Sequence, residues 1–258
     1  QRVAFALSEI LVVSDKDTLG SEQLALANYY DLLASEAFGN YRTLLERVTL
    51  SPVMGEYLSM KGNEKAQPAK NIRPDENYAR ELMQLFSIGL VELNPDGTVK
   101  TGADGLGVPT YDQSIIEGYA QAYTGWTFAN ADRFRWPKTM DWFSPMKPWA
   151  DYHEPGAKTL LGGTVLPAGQ TAEQDLQQAL DSIFKHPNVG PFISKQLIQR
   201  LVTSNPSPAY VGRVAAVFAN NGQWARGDLA AVVKALLLDD EARNGHMAAP
   251  QTFGKVKE

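Results

Sequence analysis

Only three histidines occur in the 258 residues. One of them, His153, lies in Asp151-Tyr152-His153-Glu154, with a carboxylate residue close on either side. An imidazole that changes charge near neutral pH, set beside carboxylates, has the composition of a general acid/base pair or of a metal-ligand set. The plainer alternative is a histidine in a surface loop. The second charged group is Glu76-Asn77-Tyr78-Ala79-Arg80-Glu81. Glu76 and Arg80 are four apart, as are Asn77 and Glu81, so each pair meets along a helix. A surface ion pair worth roughly 0.2–0.5 kcal/mol accounts for the first spacing; an inward polar site is the competing reading. His153, Glu154, Arg80 and Glu81 are thus the catalytic candidates. No metal ligands are assigned, and the cofactor is left open. His186, just before Pro187, reads as a helix cap or dipole partner, and His246 as part of a polar tail.

Ligand-binding candidates come from ring content. Tyr123, Trp126, Phe128, Phe134, Trp136, Trp142, Phe143, Trp149 and Tyr152 fall within thirty positions and include four of the five tryptophans. Flat apolar rings suit stacking on sugar faces, with Arg133, Arg135 and Asp141 to supply hydrogen bonds. Trp126, Trp136, Trp142, Trp149 and Arg135 are therefore the candidates for a carbohydrate or other flat ligand. Two other readings stand beside this one. A long segment without backbone ladders needs large side chains to pin it down, and aromatics with Arg also anchor protein partners.

Several chemistries are excluded by composition or pattern. With no cysteine, disulfides, thiolate metal sites and a cysteine nucleophile are ruled out. A net charge of −5 without a basic cluster argues against nucleic acid. No run approaches the ~20 apolar residues of a membrane span. There is no His-Glu-x-x-His helix, nucleophile elbow, P-loop or dinucleotide fingerprint. Asn94-Pro95-Asp96-Gly97-Thr98 opens like a calcium loop, but Gly105 stands where the bidentate glutamate belongs, so the motif fails.

The elements that must hold these residues are helical. Apolar periodicity predicts helices over 1–13, from Ser21 to about Phe38, 41–50 and 52–60. Pro74 and the acids after it open a helix whose stripe is Tyr78, Leu82, Leu85 and Phe86. Further helices are expected over 111–124, 172–185, 188–203, 207–220 and 228–239. Residues 126–170 carry no helical pattern, and Gly162-Gly163 between short apolar runs predicts a β-hairpin. The expected architecture is one all-α, multi-helical, bundle-like domain over 1–258, with an irregular aromatic-rich excursion at 126–170. A start without a cap and an end in Lys255-Val256-Lys257-Glu258 read as an internal portion of a longer protein.

Five blocks carry a family resemblance: Glu76-Asn77-Tyr78-Ala79-Arg80-Glu81-Leu82, Tyr123-Thr124-Gly125-Trp126, Lys158-Thr159-Leu160-Leu161-Gly162, His186-Pro187-Asn188-Val189-Gly190-Pro191-Phe192-Ile193 and Gln199-Arg200-Leu201-Val202-Thr203-Ser204-Asn205-Pro206. In this order they resemble the bacterial domain-of-unknown-function 1800 family, over nearly the whole chain. The resemblance implies a mostly helical protein exported to the periplasm or beyond, often encoded beside an exported family related to sulfatases and phosphatases. It also implies a histidine near the His153 position. Many members carry another histidine after the Glu-Leu pair of the first block; here Phe86 stands there, and no role of that histidine transfers. Two functions are expected: binding or acting on a polysaccharide-like extracellular substrate through the aromatic segment, or serving as a non-catalytic accessory protein for the co-exported sulfatase/phosphatase-like partner.

Overall fold

Capping residues and apolar stripes divide the chain into helices, and the computed structural model describes them over residues 1–254; the charged end expected from Lys255 to Glu258 lies outside the described residues. The first helices are α1 (Arg2–Ser8), α2 (Gln23–Ser35), α3 (Tyr41–Thr49), α4 (Pro52–Tyr57), α5 (Asn77–Gln84) and α6 (Gln113–Ala122). After a non-helical segment come α7 (Ala172–Lys185), α8 (Val189–Leu201), α9 (Pro208–Ala219), α10 (Leu229–Leu238) and α11 (Asp240–Ala248). The fold is mostly helical, and its starts follow local chemistry. Asp112, Ser207 and Asp228 each accept a backbone N–H of the first turn of α6, α9 and α10. Thr171 and Gln174 form a reciprocal capping box on α7, satisfying amides that the helix leaves unpaired.

Two small antiparallel ladders interrupt the helices. β1 (Trp126–Thr127) pairs with β2 (Lys147–Pro148), and β3 (Lys158–Thr159) with β4 (Val165–Leu166). The second is the hairpin expected around Gly162-Gly163. Residues 91–109 form a meander stitched by the bridges Val91↔Pro109, Leu93↔Val99 and Thr101↔Gly107.

Several boundaries depart from the periodicity. α1 stops at Ser8, and Ser21 sits in a 3₁₀ turn rather than capping α2. α5 begins at Asn77, after Pro74 and its acids, and Leu85 is exposed, while Ala79 and Met83 join Tyr78 and Leu82 in the core. At the end of α5 the backbone bonds widen: Phe86 N–H donates to Glu81 O, and the Ile88 and Gly89 N–H groups both donate to Met83 O. α11 replaces the expected polar tail around His246. Its weak apolar period hides it, and its visible signal is the Asp239 cap, which accepts from Glu241 N–H.

The core is one contiguous cluster with members from Val3 to Leu236. Buried tyrosines are unusually prominent in it. Tyr29 donates to Leu11 O at 2.7 Å, Tyr78 pairs with Thr49 Oγ1 at 2.6 Å, and Tyr41 and Tyr119 reach Phe86 O and Ser182 Oγ. Tyr123 meets Tyr78 edge-on at 5.3 Å and lies near-parallel to Tyr119 at 6.2 Å. These rings come from α2, α3, α5 and α6, and Tyr123 stands at the end of α6 from which the non-helical segment departs.

That departure depends on a close approach. β3 lies so near α6 that a Cβ on Gly118 would fall 2.0 Å from Thr159 O, well inside contact distance. Gly118→Ala must push the β3–β4 hairpin away from α6. We predict a loss of about 1–3 kcal/mol, the usual range for overpacking, read as a lowered midpoint in urea unfolding.

Candidate functional site

Asp175 belongs to the first turns of α7 and is fully buried, on the same face as Ala172, Leu176, Ala179, Leu180 and Ile183. A carboxylate on an apolar stripe needs partners, since an isolated buried charge is strongly disfavoured. Two cation-forming groups supply them, both from the segment between α6 and α7. Lys158 Nζ lies 2.6 Å from Asp175 Oδ2 and His153 Nε2 lies 3.0 Å from the same oxygen. The Lys158 ammonium also donates to Glu154 O at 2.7 Å and Gly156 O at 2.8 Å, so its three hydrogens have three acceptors. The partial positive charge at the α7 N-terminus favours the carboxylate further.

The hydrogen bonds fix the histidine tautomer. His153 Nδ1 is 2.9 Å from Thr124 O, which can only accept. It is also 3.2 Å from Thr124 Oγ1, whose own hydrogen goes to Gln121 O at 2.7 Å. Nδ1 therefore carries a hydrogen, and Nε2 faces Asp175 Oδ2. Glu154 N–H donates back to Thr124 Oγ1 at 2.9 Å, while the Glu154 carboxylate turns onto its own loop and accepts from Gly156 N–H. Gly125 makes this fit feasible. Its φ is +90°, and a Cβ there would meet His153 backbone and Cβ atoms at about 3.0–3.1 Å. The arrangement is a clasp that joins the end of α6, the segment around β3 and the start of α7.

The other catalytic candidates stand apart from it. Arg80 Nη2 pairs with Glu76 Oε2 at 2.8 Å, and the Gln113 amide donates to both Glu76 oxygens. Both members of this ion pair are partly solvent-exposed, which is the surface pairing expected from their spacing. Glu81 Oε2 is buried without a hydrogen-bond partner, as is Tyr111 OH; burial raises the Tyr111 pKa, with Arg80 opposing and Glu81 adding to the effect. No hydrogen bond or ion pair among the described residues joins Arg80 or Glu81 to His153 or Glu154. His186 follows α7 and accepts the Asn188 N–H at Nδ1; burial lowers its pKa below the ordinary histidine value. Among the described residues no group of three or more His, Asp and Glu side chains is arranged to hold a metal ion.

The aromatic residues divide into two sets. Trp126, Phe128, Phe134 and Trp142 are buried. Trp142 meets Phe128 edge-on at 4.8 Å, and Phe134 stacks on Tyr152 at 3.9 Å, with Trp149 half-buried beside both. Trp136 is different: it is 83% exposed and sits at φ +52°, a left-handed backbone in which a bulky side chain is an outlier. Arg135 beside it is tied to the buried Glu64 at 2.6 Å, and Gln67 holds the other Glu64 oxygen at 2.9 Å. Lys61, Gly62, Phe134, Arg135 and Trp136 line a notch of about 140 Å³. Phe143, also exposed, faces a groove of about 400 Å³ that includes Asp31, Glu46, Arg47 and Pro52.

Residue types alone did not single out Asp175, Thr124 or Glu64. Asp175 was accessible in principle, because it occupies a core position in the α7 period between Ala172 and Ala179. Glu64 and Thr124 carry no such mark, since their partners come from distant loops.

The family described as "Protein of unknown function (DUF1800)" matches residues 1–258, and the chain belongs to that family. Comparison with curated proteins and with solved structures gives no match. No helix among the described residues is long and apolar enough to cross a membrane.

Lys158→Met removes one cation from the clasp and leaves Asp175 buried against His153 alone. A loss of about 3–5 kcal/mol is expected, the range for breaking a buried pair on one side, measured by chemical denaturation. Trp142→Ala, at a ring only 5% exposed, should cost about 3–5 kcal/mol through the cavity it leaves. A melting temperature unchanged by Trp142→Ala would contradict its packing role.

Proposed function

We propose that this chain is a binding protein whose segment between α6 and α7 presents Trp136 to a neutral sugar ring of an extracellular polysaccharide. The observation that carries this reading is the display of Trp136: a large ring, almost wholly exposed, in a backbone conformation that bulky residues avoid. Strained conformations persist where the surroundings hold them, and they concentrate at functional positions. Here the surroundings are Phe134, stacked into the fold on one side, and Arg135, tied to Glu64 on the other. One ring buries an area of roughly 150–250 Å², which suits one pyranose face rather than a protein interface of about 800 Å² per partner. The two cations lining the notch are already paired, Arg135 with Glu64 and Lys61 with Glu56, which favours a neutral ligand over an acidic one.

In this reading His153, Asp175 and Lys158 position the segment, Glu154 shapes its turn, and Trp126 and Trp142 anchor it from below. Export to the periplasm or beyond follows from the family resemblance and belongs to the same proposal. So does treatment of the chain as one folded unit, which the single core cluster supports. A second reading has one observation in its favour: Met140 and Phe143 are exposed in the same segment. They would broaden the contact enough for a co-exported sulfatase/phosphatase-like partner.

Isothermal titration against neutral β-linked oligosaccharides tests the first reading. Trp136→Ala should weaken binding at least tenfold, equivalent to about 1.4 kcal/mol, with no fall in melting temperature. Trp136→Gly relieves the left-handed strain and should hold or raise the melting temperature while losing binding to the same degree. Equal affinity for wild type and both variants would reject Trp136 as the platform.

A further inference from the structure

We propose that Lys158 and Asp175 form an intramolecular isopeptide bond, an amide between Nζ and Cγ, with His153 as the proton carrier. The inference is independent of the Trp136 reading and assigns a covalent modification to the clasp. Lys158 is the one lysine in the buried set among the described residues, and neither its side chain nor that of Asp175 touches solvent. Nζ lies 2.6 Å from Asp175 Oδ2. The carboxyl carbon is one bond further on, at roughly the 3–3.5 Å separation of a near-attack pair.

Both partners sit on regular elements. Lys158 belongs to β3, where it pairs with Leu166 of β4, and Asp175 to the first turns of α7, whose capping box fixes the helix start. Two of the three hydrogens on Lys158 Nζ are held by Glu154 O at 2.7 Å and Gly156 O at 2.8 Å. The tetrahedral nitrogen therefore points its remaining position at Asp175. Loss of the proton there turns the lone pair toward the carboxyl group. Well-oriented intramolecular pairs of this kind reach effective molarities of roughly 10⁵–10⁸ M.

The surroundings favour the neutral product. Three ionisable side chains meet at one buried oxygen, an arrangement that is unfavourable unless the remaining polar atoms are satisfied. One of them is not: Asp175 Oδ1 has no hydrogen-bond partner. An unpaired oxygen costs more on a charged carboxylate than on a neutral amide carbonyl. The step balances without any other reactant. A Lys158 proton passes to the carboxylate, giving an amine and a carboxylic acid, and Nζ then adds to Cγ. His153 Nε2, 3.0 Å from Oδ2, takes a second proton from the nitrogen and delivers it to Oδ2. The Cγ–Oδ2 bond breaks and Oδ2 leaves as water. One hydrogen stays on the nitrogen, and His153 returns to its starting state, still oriented by Nδ1 on Thr124 O. The chain has no cysteine, so no disulfide ties this segment to the helices; the amide closes residues 158–175 in the same way.

Mass spectrometry of the purified full chain tests this directly. Trypsin does not cleave between Lys147 and Pro148, nor after an acylated lysine. The expected product is therefore fragment 139–185, uncut at Lys158 and lighter than its sequence by one water. That fragment contains no Asp-Gly step, the usual site of dehydration to a succinimide. A further cut after Glu173 should leave the two pieces joined, with fragmentation placing the link between Lys158 and Asp175. Lys158→Arg and Asp175→Ala should each give the full sequence mass. In folded His153→Gln the link should form about 10²–10⁴-fold more slowly, followed as intact mass over time. Complete linkage in freshly purified His153→Gln would overturn its role as proton carrier. Wild-type protein at full mass, cut quantitatively after Lys158, overturns the proposal and leaves the clasp ionic; that result depends on no variant folding.

Discussion

A single buried carboxylate organises the non-helical segment between α6 and α7. Asp175 enters the core on α7 and accepts from Lys158 and His153, which arrive on a stretch that has almost no backbone ladder of its own. Desolvating three ionisable groups is unfavourable, and their attraction offsets this only when the geometry is close and the remaining hydrogen bonds are satisfied. Here the lysine has three acceptors and both histidine nitrogens have partners, while Asp175 Oδ1 is left without a hydrogen bond. The consequence is specificity of path. A route for residues 147–160 that moved Lys158 and His153 away would leave Asp175 buried without these partners.

Once that route is fixed, the aromatic side chains have little freedom to choose sides. Trp126 follows Gly125, which lies against His153, and pairs through β1 with Pro148. Trp149 N–H donates to Gly125 O and Tyr152 O accepts from Lys65 N–H, so the stack of Phe134 on Tyr152 is seated on a braced frame. The rings that turn inward do the packing that strands would otherwise do, while Trp136 and Phe143 are left outward. Rigidity and display are thus two results of one constraint, and they motivate a binding role more directly than any reactive group does.

The same logic recurs on a smaller scale in the loop before α10. Asparagine side chains there replace backbone partners, Arg226 ties the base to the end of α7, and one tryptophan projects. In both places a polar residue buried or committed at the base supports an aromatic ring in solvent. The αL backbone at each tryptophan is tolerated because its surroundings already fix the turn.

Much of the helical layout was legible in the residues themselves, because a cap and a period are local. Thr171 with Gln174, Ser207 before Pro208, and Asp228 after Gly227 mark helix starts through short-range hydrogen bonds that need no distant partner. The Glu76–Arg80 pair and the hairpin at Gly162-Gly163 were readable for the same reason. α11 escaped because Asp240 to Ala248 lacks an apolar stripe, and α5 was read too long because the widened bonds onto Met83 O are not encoded in the spacing of Leu82, Leu85 and Phe86. What only the tertiary structure decided was which side of the fold each ring and charge would face. From its neighbours Asp151 and Glu154, His153 read as an acid/base or metal-ligand candidate or as a surface-loop histidine, yet it is buried and its partners are Asp175, twenty-two residues on, and Thr124, twenty-nine residues back. Trp142 and Trp136 are the same residue type six positions apart, one in the core and one in solvent. Burial depends on where the chain passes relative to other elements, and along an irregular segment no period carries that information.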